Sequence, residues 1–335
     1  MKYVTIIDIA HELGLSKSTV SRALSGNGGN VKESTMKLIV ETARKMGYQR
    51  NELAVNLRQQ STKTIGIVIP EATTPFFMHF IQYVQTSLRQ HGYKVIIAIS
   101  NEDVDQESEN LLLMEQCRVD GIIISACHNR HNIDLYRKIM ERGIPLVMFD
   151  RTIDDIEASQ VMMDDYIMAF FMVEALIRRG HKKIVHLAGP NYLHNSSARL
   201  KGYQDALEKF GIDYDNRYVM PAGLNANEGS QAMEQFLTRK LDFDAVFGFT
   251  EASTLGAKST LQMFNYRIPQ DVAICCISGT ELCTLVHPTI TAVEQPVKLM
   301  AETVCHLLLK RIDNPESKKE KILLRGEMIF RESLP

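Results

Sequence analysis

Leu15-Ser16-Lys17-Ser18-Thr19-Val20-Ser21-Arg22-Ala23-Leu24 reads as a short helix with hydroxyls and two cations on one side and aliphatics on the other. Ser16 is placed to cap it by accepting a backbone N–H two or three residues on, and Gly14 can end the preceding helix in a left-handed conformation. The expectation is helix, tight turn, helix. Helical spacing puts Val20, Ala23 and Leu24 inward and leaves Lys17, Ser18, Ser21 and Arg22 outward. In a helix-turn-helix the second helix enters the major groove with its first residues against base edges, so Lys17 and Ser18 are the expected base readers. Arg22, one turn later, suits the O6 and N7 pair of guanine. Taken alone, the stretch also fits an exposed amphipathic helix whose cations are merely solvated. The flanks decide between the two.

Upstream, Thr5 with Asp8 forms a helix start of capping-box type, and Ile9, Ala10 and Leu13 supply the inner face of a first helix. Downstream, residues 25–30 are a glycine-rich loop that does not follow a strand, which argues against a nucleotide-binding loop. A third helix over 32–46 places Met36, Ile39, Val40 and Ala43 inward and ends at Gly47-Tyr48. Residues 51–62 are too few for a stable isolated helix, because nucleation is costly, so they form a conditional one.

The charge is polarised along the chain. Residues 1–63 hold ten Lys/Arg against five Asp/Glu, whereas the remainder holds 28 against 35. A basic head on an acidic body suits a module that meets a polyanion while the body stays off it. The first residues lack the apolar core of a signal peptide, and no apolar run approaches the roughly 18 residues of a membrane span. The chain is therefore expected in the cytoplasm, with no membrane partner. Six cysteines show no paired CxxC spacing, so neither a disulfide scaffold nor a zinc site is indicated. Cys127-His128 with His131 reads as a polar loop after a strand rather than a metal cluster, and no cofactor is expected.

From residue 64 onward apolar runs alternate with helical stretches: strands at 64–70, 94–99, 121–125 and 144–150, with helices between them. A second series starts near Asp164, with strands at 183–189, 218–220, 245–247 and 272–274. This predicts two doubly wound parallel-sheet halves with a cleft between them. Residues 291–296 are expected to cross back to the first half, 297–310 to form its last helix, and 321–330 to return to the second. Three crossovers make a hinge whose closure a ligand can bias.

Five linked blocks now stand in register: Thr5-Ile6-Ile7-Asp8-Ile9-Ala10, Gly14-Leu15-Ser16, Ser18-Thr19-Val20-Ser21-Arg22-Ala23-Leu24, Ala43-Arg44-Lys45-Met46-Gly47-Tyr48, and Asn51 with Ala54 and Leu57. They resemble the DNA-binding head and hinge of the lactose/galactose repressor (LacI/GalR) family, and the body resembles that family's periplasmic-binding-protein-like core. The resemblance implies an all-α helix-turn-helix head over 1–48, a hinge helix over 49–62 and an effector-binding α/β core over 63–335. It divides the core into a first subdomain of about 63–161 and 293–320 and a second of about 162–292 and 321–335. DNA contacts are implied for Thr5, Ser16, Lys17, Ser18, Ser21, Arg22, Asn51, Ala54 and Leu57. The hinge helix would fold only on operator DNA, paired in the minor groove with that of a dimer mate, with Leu57 as a wedge between base pairs. Arg50 stands where the family usually has a proline before that helix.

The resemblance also implies a small-molecule effector, a sugar or related metabolite, held by Phe76, Phe77, Cys127, Asp150, Arg151, Asn195, Arg199, Leu224, Glu251 and Ser278. Two departures stand out: Thr250-Glu251 replaces the family's usual Asn-Asp, and Cys276-Ile277-Ser278 replaces its usual Gly-Phe-Asp. Loss of the second carboxylate points toward an anion, a modified sugar, or a ligand held mainly by Arg151 and Arg199. The implied function is a dimeric regulator, a repressor, acting on a pseudo-palindromic operator. A transport receptor would have no use for the basic head. A Rossmann-type enzyme would need a phosphate loop after its first strand, and Ile69-Pro70-Glu71-Ala72-Thr73 has no glycine.

Overall fold

A computed structural model of the chain describes residues 4–24, 31–48 and 61–335. It divides into two compact units, Met1–Thr62 and Lys63–Pro335. The hinge residues Asn51, Ala54 and Leu57 lie outside the described residues.

In the first unit, α1 spans Ile6–Leu13 and opens on a reciprocal cap: Asp8 N donates to Thr5 Oγ1 at 3.3 Å and Thr5 N donates to Asp8 Oδ2 at 2.7 Å. It ends at Gly14, whose φ of +61° is left-handed and therefore suits a residue without Cβ. Ser16 accepts from Thr19 N at 3.2 Å and starts α2, Lys17–Leu24, as expected. After α3, Glu33–Lys45, the three helices close on Ile9, Ala10, Val20, Ala23, Ile39 and Ala43. Val40, expected inward, is 50% exposed. Ile39 and Ala43 already define the buried stripe with Met36 behind them, and Val40 stands about 100° around the helix from Ile39.

The second unit holds two sheets. Its order begins β1 Thr64–Ile69, α4 Pro75–Gln90, β2 Lys94–Ile99, α5 Val104–Gln116, β3 Gly121–Ile124, α6 Ile133–Glu141, β4 Leu146–Phe149 and β5 Ser159–Met163. It continues with α7 Asp165–Arg178, β6 Ile184–Ala188, α8 His194–Lys209, β7 Val219–Pro221, α9 Ala226–Thr238, β8 Ala245–Gly248, α10 Glu251–Met263 and β9 Ala273–Gly279. The remaining elements are α11 Leu282–Leu285, β10 Thr291–Glu294, α12 Val297–Asp313, β11 Lys321–Leu324 and β12 Glu327–Ile329. The first sheet, ordered β11-β5-β4-β3-β1-β2, is parallel throughout; in the second, β12-β10-β9-β8-β6-β7, only the edge strand β12 runs antiparallel.

Burial on both faces explains the unbroken aliphatic runs: Ile65, Ile67, Val68 and Ile69 of β1 are all buried. Pro75 sits in the first turn of α4, and Phe76, Phe77, Phe80, Ile81, Val84 and Leu88 follow as its inner stripe. Two glycines set the second half's helix spacing. A Cβ on Gly229 of α9 would lie 2.0 Å from the Ser253 carbonyl oxygen, and one on Gly256 of α10 would lie 1.8 Å from that of Ala226.

The chain crosses between sheets at different points from those expected. β10 pairs with β9 and stays in the second sheet, so the crossing falls at Gln295-Pro296, immediately before α12. β11 pairs with β5 in the first sheet, and the return falls at Arg325-Gly326, so that only β12 rejoins the second. The expected boundaries at 292/293 and 320/321 thus shift by a few residues. The reason is hydrogen bonding: each crossover strand completes the sheet it is leaving before the chain changes lobe. β5, Ser159–Met163, extends the first lobe past the expected 161 and is buried along its length.

Candidate functional site

The carboxyl ends of both sheets face a cavity of about 630 Å³, with Phe76, Phe77, Glu102, Asp150 and Arg151 from the first lobe, and Asn195, Arg199, Leu224, Phe249, Glu251 and Ser278 from the second. Open α/β sheets bind ligands at this end of their strands. Every effector candidate read from the sequence lines the cavity except Cys127. That residue is buried behind it, where its N–H donates to Glu107 at 2.6 Å. Glu107 also accepts from Asn132 Nδ2 at 2.9 Å and Tyr136 Oη at 2.5 Å, so this loop is pinned from within. Burial and the nearby carboxylates push the Cys127 thiol up, away from the reactive thiolate. Among the described residues no cluster of three metal-ligating side chains occurs.

The aromatic pair is both lining and core. Phe76 and Phe77 meet edge to face at 5.0 Å, and Phe77 packs on Phe149 at 6.1 Å. Asp150 follows β4 with φ +56°, a strained conformation that turns it at the strand end, and its Oδ1 accepts from Gln295 Nε2 at 3.0 Å. Gln295 belongs to the crossover, so the hinge and the strand-end carboxylate are joined directly.

Both arginines are already spoken for. Arg151 forks onto Glu102 with bonds of 2.7 and 2.9 Å and lies over the Phe77 ring. Arg199, only 1% exposed, bonds Asp165 Oδ1 through Nε at 2.7 Å and through a terminal nitrogen at 2.6 Å. It also donates to the Phe249 carbonyl at 2.5 Å and to Ser278 Oγ at 3.3 Å. Burial outweighs the attraction of Arg199 and pushes Asp165 up to about 6. The expectation of a ligand held mainly by Arg151 and Arg199 therefore meets two guanidiniums whose charge is cancelled on the spot.

Glu251, another candidate, is equally committed. Its carboxylate accepts from Thr280 N at 2.8 Å, Thr280 Oγ1 at 2.6 Å and Cys283 N at 3.1 Å, fixing the loop after β9. Asn195 differs: it is 4% exposed, and its Oδ1 has no hydrogen-bond partner among the described residues. A buried acceptor left unpaired costs roughly 1–3 kcal/mol, so it calls for a donor from a ligand. Glu102 and Asp165 were not among the sequence candidates. The available signal was position: one follows β2 and the other opens α7, both beside the cavity end of the first sheet.

The lobes also meet beside the cavity. His128 stacks on Tyr192 at 4.5 Å, Asn129 N donates to the Tyr192 carbonyl at 3.3 Å, and His194 lies 3.4 Å from Asp154. His131 packs edge-on against His128 at 4.4 Å, which accounts for the Cys-His-His motif by packing.

In the head, Lys17, Ser18 and Arg22 are exposed on the outer side of α2 and Ser21 is half-buried. Ser16 Oγ lies 2.8 Å from the hydroxyls of both Ser18 and Thr19, so this hydroxyl cluster is organised by the cap. Thr5 is exposed but engaged in its own capping box.

Comparison with known proteins agrees with both halves of this geometry. Residues 5–51 match the model of the bacterial regulatory proteins of the lacI family, and residues 62–319 match that of periplasmic binding proteins and the sugar-binding domain of the LacI family. The ribose operon repressor of Escherichia coli K12 is 28% identical, with 98% of this chain and 99% of the relative covered. The transcriptional regulator CelR–cellobiose complex is 27% identical, covers 98% and 99% of the two chains, and superposes with a TM-score of 0.75. The Lac repressor dimer bound to operator and an anti-inducer shares the fold at 21% identity, with a TM-score of 0.86 over 99% of both chains. The chain belongs to the LacI family of bacterial transcription regulators.

Proposed function

We propose that this regulator is a repressor that binds a pseudo-palindromic operator as a homodimer and releases or holds it according to whether a small sugar or sugar derivative occupies the cleft. One observation carries the reading: a Ser16-capped helix presents Lys17, Ser18 and Arg22 outward on the same chain as a two-lobed cleft with an unpartnered buried acceptor. Lys17 and Ser18 read base edges at the start of α2, and Arg22 forks onto a guanine. The hinge residues Asn51, Ala54 and Leu57 serve the minor groove, where a leucine wedge spends a few kcal/mol of unstacking to gain contact area. Two copies are needed because specific affinities of about 10⁻⁸ to 10⁻¹¹ M exceed what one small head supplies.

Ligand control follows from the hinge. The Gln295 bond to Asp150 places a cleft residue and a crossover residue in one contact, so a ligand that favours one closure state shifts the whole core. The CelR relative is in complex with cellobiose and a LacI family regulator of Enterococcus faecium has ribose bound, which supports a sugar here. Duplex binding at falling salt tests the DNA half: a steep log–log slope is expected, and a flat one excludes phosphate contacts. Sedimentation on the same duplex should give two chains per site; one chain per site would remove the dimer from the scheme.

A further inference from the structure

We propose that Glu102 sets the charge class of the effector: by cancelling Arg151 it makes the cleft take two-ring glycosides that carry no acidic group and turn away carboxylated or phosphorylated ones. The inference rests on the cleft being the effector site and adds which ligands that site admits.

The pairing is built into the fold. Glu102 follows β2 with φ +60°, and its N–H donates to the Pro70 carbonyl at 2.8 Å, so the backbone is locked before the side chain is placed. Its two oxygens then meet two nitrogens of Arg151 at 2.7 and 2.9 Å, the planar geometry that guanidinium offers an external carboxylate or phosphate. An acidic ligand seeking that fork finds it occupied. Asp165 occupies Arg199 through one oxygen, Oδ1, which meets two of its nitrogens. The remaining ionisable residues of the lining, Glu71, Asp150 and Glu251, are all carboxylates, so an added anion is repelled on every side in a partly desolvated space.

What is left suits a neutral ligand. The unpartnered Asn195 Oδ1 and the Asp150 carboxylate accept from hydroxyls, while Phe76, Phe77, Phe249 and Leu224 offer apolar surface to ring faces. At about 630 Å³ the cavity lies well inside the roughly 300–1,000 Å³ of pockets that enclose drug-sized ligands, so it has room for two linked rings.

The test is calorimetric titration of the full-length protein with matched pairs: cellobiose and cellobionate, lactose and lactobionate, uridine and uridine 5′-phosphate. At least one neutral probe should bind, and its acidic partner should bind at least tenfold more weakly. Glu102→Gln, nearly isosteric, frees the charge of Arg151 and should shrink that ratio at least tenfold. Glu102→Asp keeps the charge and should preserve the rejection, a split that damage to the fold would not produce. An acidic probe binding as tightly as its neutral partner, an unchanged ratio in Glu102→Gln, or no binding by any neutral probe overturns the proposal. Duplex affinity is read in parallel. A neutral probe that binds without altering it removes the effector reading and leaves the charge selection; an acidic probe that binds tighter and alters it does the reverse.

Discussion

Replacing Arg199 by methionine removes a guanidinium but keeps an unbranched chain of similar reach, so its main effect is to leave Asp165 buried and unpaired. The two residues are 1% and 5% exposed, and the bonds between them are 2.7 and 2.6 Å. Breaking a buried pair from one side costs about 3–5 kcal/mol, because the remaining charge loses its partner in a medium that solvates it poorly. For a core of this size that is a fall in Tm of roughly 10 °C. The loss should depend on pH. Asp165 is held at about 6 with Arg199 present and moves further up without it, above its ordinary value near 3.8. A carboxyl whose folded pKa is raised favours the fold while protonated, and that contribution disappears as pH rises through the folded pKa. The deficit of Arg199→Met should therefore be smaller at pH 5.5, where Asp165 is mostly protonated and the lost bonds to Phe249 and Ser278 dominate, and larger at pH 8.5. Urea unfolding followed by circular dichroism at both values measures it, and Asp165→Asn combined with Arg199→Met should recover most of the loss. A deficit below about 1 kcal/mol at pH 8.5, or one equal at the two pH values, would refute this account of the pair.

Other outcomes follow from single contacts. Gly256→Ala drives a methyl into the Ala226 carbonyl at the α9–α10 crossing and should cost about 1–3 kcal/mol in the same unfolding assay; an unchanged midpoint would mean the helices do not pack as closely as described. His186 is buried, donates through Nδ1 to the Phe247 carbonyl at 3.0 Å when neutral, and is pushed down to about 4 by burial. Its depressed pKa adds stability that is lost as pH falls from 6.5 toward 4, up to about 3 kcal/mol, so His186→Gln should flatten the acid limb of the stability profile. Leu57→Ala should weaken an operator at least tenfold in fluorescence anisotropy while leaving random duplex nearly unchanged; equal losses would rule out a wedge.

Much of the architecture was legible because it rests on local chemistry. The Thr5–Asp8 box, the Gly14 turn and the Ser16 cap each involve residues no more than four positions apart, and aliphatic runs such as 64–69 announce strands buried on both faces. β5 carries little strand signal, because Ser159-Gln160-Val161-Met162-Met163 has only one β-branched residue. Sheet membership of β10 and β11 is hidden for another reason: a pattern of apolar residues says that a segment is a strand, whereas its partner is chosen by contacts far along the chain. The cleft shows the same division. Arg151 and Arg199 stand out in sequence, but their neutralising partners Glu102 and Asp165 are 49 and 34 residues away, so only the folded chain brings the opposing charges together.

The central claim is that α2 reads the bases of a duplex, and one ratio tests it most directly. The full-length protein selects its preferred duplex from a random library, and its affinity for that duplex is compared with its affinity for a scrambled one at fixed salt. A ratio of at least about 10³ is expected, falling at least 100-fold when Lys17→Ala and Arg22→Ala are combined. A double variant that keeps the full ratio would contradict the account, because base choice would then lie elsewhere in the chain.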